Sequence, residues 1–91
     1  MQTLEAVDTD RELQLGDMYE VILYNDDINL VDHVVKSLVK VFGHTEHLAA
    51  KITFEAHERG NAIAAVEEQE LAQLHKDQLQ TFGLTASIHK V

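Results

Sequence analysis

Ninety-one residues carry seven Lys and Arg against 16 Asp and Glu, a net charge of −9 at pH 7. That length holds one small core, and the acidic balance argues against a protein that tracks nucleic-acid phosphates. Without cysteine there are no disulfides and no thiolate chemistry; no apolar run approaches the roughly 20 residues of a membrane span, and the N-terminus has no secretory-signal pattern, so a cytoplasmic setting is expected.

Residues 1–17 mix Asp8, Asp10, Arg11, Glu12 and Asp17 with scattered leucines and hold no period. A flexible tail is expected there, ahead of a core domain at 18–91. Residues 19–24 (YEVILY) are β-branched and aromatic and read as a strand. Asn25, Asp26 and Asp27 stop it, since their short polar side chains bond nearby backbone. Asn29 is placed to cap a first helix that carries Val31, Val34, Val35, Leu38, Val41 and Phe42 at helical spacing and stops at Gly43. Thr45 caps a second helix through Leu48, Ala49, Ile52 and Ala56, which Gly60 ends. Residues 61–66 (NAIAAV) fit a buried strand. Glu67 and Glu68 suit the positive end of a third helix, whose apolar face is Leu71, Leu74, Leu79 and Phe82, closed by Gly83. Leu84, Ala86 and Ile88 alternate with polar neighbours in a last strand. The order β-α-α-β-α-β predicts an α+β fold, a three-stranded antiparallel sheet covered by three helices.

Most chemistries find no support in these residues. His44 and His47, with His33 nearby, give half a metal site and no cysteine partner, so no metal or other cofactor is implied. Ser37 and Ser87 lie in a helix and a strand, outside any nucleophile elbow, and the four glycines are isolated rather than gathered in a phosphate loop. An enzyme is not expected. The triplet Asn25-Asp26-Asp27 is more informative. An Asn carbonyl and Asp carboxylates accept hydrogen bonds, as a neutral imidazole does, and His57 falls near the end of the second helix. If the strand end and the helix end converge, the product is a polar rim over an apolar floor, suited to a primary amine attached to a hydrophobic side chain. Turn chemistry and helix capping alone would also explain the triplet.

The stretches YEVILYNDD, a valine-rich helix ending in VFG, and EAHERGNAIAAV resemble the ClpS family, the adaptors that recognise N-degrons for the Clp protease. The likeness runs from about residue 18 to 91. It implies that Asn25, Asp26 and His57 hold the α-amino group of a substrate's first residue. It further implies that Ile28, Asn29, Val31, Val34, Thr53, Ala56 and Leu84 line the pocket for that residue's side chain. The family's usual Thr-Pro-Met is Asn29-Leu30-Val31 here, and Thr53 and Ala56 stand where a Met and a Val are usual, so the side-chain preference is expected to shift. The resemblance also implies docking on the N-terminal domain of a Clp ATPase of the ClpA or ClpC type through Glu70 and His75, with the tail engaged during delivery. A monomer in a bacterial cytoplasm or plastid stroma, with no nucleic-acid or membrane partner, is the expected state. The alternative is a protein-interaction domain of ribosomal-stalk-like topology, which needs no such cavity.

Overall fold

A hydrophobic strand that ends in a polar turn sets the layout. The computed structural model describes residues 17–91. β1 (Met18–Tyr24) is followed by α1 (Val31–Phe42), α2 (Glu46–Arg59), β2 (Asn61–Glu68), α3 (Gln69–Thr81) and β3 (Ala86–Lys90). The strands form one antiparallel sheet in the order β2-β1-β3, so β1 is central. This is the α+β architecture read from the sequence. The assignment of 1–17 to a tail lies outside the described residues, Asp17 excepted.

Alternation along β1 buries Val21 and Leu23 among the helices. Their cross-strand neighbours Ala65, Ala62, Ile88 and Ala86 share that face. Ile22 pairs with Ile63 and Ser87 on the other. Leu38 of α1, Ala49, Ile52 and Ala56 of α2, and Ala72 and Leu79 of α3 complete the core. Among the described residues, six of the twelve buried apolar side chains are alanines, so the larger Leu38, Leu79 and Val21, all fully buried, carry a large share of the burial. Each contributes about 1.5–3 kcal/mol against exposure. The β1–β2 ladder shifts register between Val21 and Ile22, paired with Ala65 and Ile63, which leaves Ala64 as the extra residue. The Ala64 carbonyl accepts a hydrogen bond from the imidazole of His44 at 2.8 Å, a role for that histidine that hydrophobic spacing does not reveal.

Three expectations need correction. Asn29 does not cap α1: Leu30 is the cap residue, with no side-chain hydrogen bond, because the Asn29 side chain is engaged elsewhere. Glu67 and Glu68 end β2, since the cross-strand pairing with Met18 and Tyr19 extends through them; Glu68 alone also stands at the start of α3, as its cap residue. The inner face of α3 is Ala72, His75, Lys76 and Leu79, whereas Leu71 and Leu74 are 44% and 50% exposed. Counting only large apolar residues tilted the predicted stripe away from the small Ala72. Thr45 behaves as expected: its hydroxyl accepts the Leu48 N–H at 3.1 Å.

Candidate functional site

The strand ladder brings the two separated stretches together. Tyr24, the last residue of β1, pairs with Asn61, the first of β2. The next N–H along, that of Asn25, donates to the Gly60 carbonyl at 2.9 Å. Gly60 is the sole residue between α2 and β2, and its φ of 91° is left-handed, a conformation glycine adopts without a Cβ clash. His57 lies three residues earlier, in the last turn of α2. On the other side of β1, the Tyr24 N–H donates to the Thr85 carbonyl at 3.0 Å, which brings Leu84 alongside.

Between these walls lies a cleft, open to solvent at its mouth. Asn25, Asp26, Asn29 and His57 contribute polar groups, and Val31, Val34, Thr53, Ala56 and Leu84 contribute the rest of the expected lining. Leu23 and Tyr24 also line it. Sequence reasoning missed that pair because it treated the strand as core only; their signal is their place immediately before Asn25. Thr53 is buried, and its hydroxyl donates to the Ala49 carbonyl at 2.8 Å, so it meets the cleft without an unpaired proton. Ile28 is the exception among the expected lining residues. It is 94% exposed and stands outside the cleft, because the turn curls back on Asp26 and throws the Ile28 side chain outward.

Asp26 organises that turn. One carboxylate oxygen, Oδ1, accepts the backbone N–H groups of Ile28 and Asn29, each at 2.7 Å, while Oδ2 accepts the side-chain N–H of Asn29. These bonds, the Asn29 side chain first and then the two backbone N–H groups, hold the carboxyl below its usual 3.8, with a smaller pull from His33 and an opposing push from partial burial. A carboxylate offers about four lone-pair positions, so three N–H donors leave one acceptor position on Oδ2. The imidazole of His57 is exposed and hydrogen-bonds to no other described residue. Arranged around a cleft, an anionic oxygen, an amide oxygen and an imidazole nitrogen can receive the protons of one cation.

The remaining histidines lie apart from one another in function. His33 donates to the Phe82 carbonyl at 2.7 Å and His44 to that of Ala64. Among the described residues, no group of three His, Cys, Asp or Glu is arranged to hold a metal ion. Glu70 is exposed in the first turn of α3. His75, expected beside it as a docking residue, turns inward: its Nδ1 lies 2.8 Å from both carboxylate oxygens of Glu67, and only 15% of its side chain is exposed.

Comparison with known proteins decides the family. The profile described as "ATP-dependent Clp protease adaptor protein ClpS" matches residues 14–87. The chain belongs to the ClpS family. It is 46% identical over 68 residues to a ClpS adapter of Nostoc sp., covering 74% of this chain and 70% of that one. It is 32% identical over 89 residues to a ClpS adapter of Synechococcus elongatus, covering 97% and 94%. The solved structure of Agrobacterium tumefaciens ClpS2 bound to L-phenylalaninamide superposes with a TM-score of 0.77 at 26% identity, covering 84% of this chain and 99% of that one. As a ClpS protein the chain is an adaptor of the Clp protease and not an enzyme. The stalk-like alternative is thereby set aside. No helix among the described residues is long and apolar enough to cross a membrane.

Proposed function

We propose that this ClpS adaptor binds the free α-amino group and hydrophobic first side chain of N-degron polypeptides. It then delivers them to the N-terminal domain of a Clp ATPase. The observation that carries the reading is the convergence of Asn25, Asp26 and His57 on one cleft with Val31, Val34, Ala56 and Leu84. The ligand of the Agrobacterium relative, L-phenylalaninamide, has the same two parts, a primary amine and a hydrophobic side chain.

The physics separates chain ends from chain interiors. An ammonium leaving water must keep its hydrogen bonds, or its desolvation costs several kcal/mol. The anionic Asp26, the Asn25 side-chain oxygen and the His57 imidazole supply acceptors. An internal amide or an acetylated terminus has no positive charge and too few protons to satisfy them. Unpaired polar groups then cost about 1–3 kcal/mol each. The apolar wall adds about 1.5–3 kcal/mol for a buried leucine- or phenylalanine-sized side chain. Val31, Thr53 and Ala56 are smaller than the residues usual in the family, so side-chain preference is the variable part of the function and amine capture the constant part.

Docking on the ATPase falls to Glu70, which is exposed beside Glu68 and the apolar Leu71 and Leu74. His75 supports that face from beneath through Glu67. Fluorescence anisotropy with peptides beginning Phe, Leu, Trp, Ile or Met tests the whole reading. Free-amine peptides should bind and their N-acetylated forms should not; equal binding of the acetylated forms would remove the amine-capture claim.

A further inference from the structure

Sequence pattern assigns Asn29 to a helix cap and likeness to the family assigns it to a pocket wall, but its side chain links two other parts of the site. Its Nδ2 donates to Asp26 Oδ2 and, at 2.9 Å, to the Gly83 carbonyl. Both partners are acceptors only, so the amide must present its NH2 to them; the flipped amide would set an oxygen against two oxygens. Two protons meet two acceptors. A threonine hydroxyl, the residue usual at this place in the family, has one proton and can satisfy only one of them. Four residues along, His33 donates to the adjacent carbonyl, that of Phe82, at 2.7 Å. The segment between α3 and β3 is therefore held at two successive carbonyls from the turn and from the start of α1. Leu84, a wall of the cleft, is the next residue.

We propose that Asn29 is a positioning residue for amine capture, its NH2 clamping the Asp26 carboxylate to the Gly83 carbonyl. The clamp fixes the rotation of the carboxylate, which keeps one Oδ2 acceptor position for the ligand, and it sets the spacing between the amine site and the Leu84 wall. This inference rests on the amine-binding reading above. The charged and titratable groups around Asp26 are Asp27 in the turn, His33 from α1 and His57 from α2; the α3–β3 segment presents the Phe82 and Gly83 carbonyls. Removing Asn29 takes away the largest of the bonds that favour the ionised acid.

The experiment compares wild type with Asn29→Ala, Asn29→Thr and Asn29→Asp, each checked for folding by thermal unfolding. Affinity for a free-amine Phe peptide should fall about tenfold in Asn29→Ala, less in Asn29→Thr, and most in Asn29→Asp, which sets a carboxylate against two acceptors. In the peptide-free proteins, NMR titration of the Asp26 carboxyl should move to higher pH in Asn29→Ala, with Asn29→Thr between it and wild type. If Asn29→Asp fails to fold, the other two variants still carry the comparison. Wild-type affinity in Asn29→Ala, or an unmoved Asp26 titration, overturns the clamp while acetylation still abolishes binding. Retained binding of the acetylated peptide overturns the amine reading itself, an outcome read from a different arm.

Discussion

Two acid–imidazole combinations occupy opposite ends of the sheet. At one end Glu67 and His75 face each other at 2.8 Å, 14% and 15% exposed, with the His75 ring edge-on to Phe42 at 5.0 Å between centroids. At the other end Asp26 and His57 line the same cleft without bonding to each other; Asp26 is braced by N–H donors, and His57 has no described partner. The residue types match and the roles differ. An acid and an imidazole that satisfy one another lock an element in place, here the junction where β2 runs directly into α3. An acid and an imidazole held apart around a cavity keep their remaining acceptors for a ligand.

Substitution at each end should separate those roles. The largest effect on binding is expected from Asp26→Ala, which removes the only anion that the described residues give the cleft lining; affinity for free-amine peptides should fall by about 2–3 kcal/mol, read by anisotropy. A loss below twofold would break the comparison. His57→Ala removes an exposed neutral acceptor and should weaken the same peptides by about 1 kcal/mol. At the closed end, His75→Ala leaves an enclosed Glu67 without its partner, and should reduce unfolding free energy by about 1–2 kcal/mol in urea while leaving peptide affinity unchanged. The Glu67→Ala, His75→Ala double variant should lose less than the sum of the single losses.

The lowered Asp26 pKa sharpens the contrast in pH. Its carboxylate bonds are fully present above the ordinary carboxyl range and are lost only as pH falls through the depressed value. Asp26 therefore contributes a flat affinity profile from neutrality down to the ordinary carboxyl range. The smallest effect is expected from Ile28→Ser: a side chain that projects outside the cleft should alter affinity by less than about twofold.

The element order was readable because its punctuation is local. Gly43, Gly60 and Gly83 have positive φ, and the strands are continuous apolar or alternating runs. Most of the lining was readable too, but only through likeness to the family; spacing alone left Asn25 and His57 as separate polar spots. Their meeting depends on the pairing of Tyr24 with Asn61, and pairing across 37 positions has no local signature. The errors share one cause, competition among partners. Asn29 was placed to accept from the first N–H groups of α1 and instead donates its NH2 to Asp26 and Gly83. His75, which likeness to the family gives as a docking residue, packs against Glu67. Leu71 and Leu74 held the helical period, yet the close-packed face went to Ala72.

The single-residue joint at Gly60 has a consequence for how such adaptors can diverge. On the proposed reading, residues in the walls can be exchanged one at a time, retuning which first side chains are accepted. The spacing between His57 and Asn61 has no such freedom. Adding or deleting one position there would rotate the imidazole by about 100° around the helix axis and swing it off the cleft, whatever its neighbours. On the proposed reading, discrimination between a chain's beginning and its middle is thus guarded by a count.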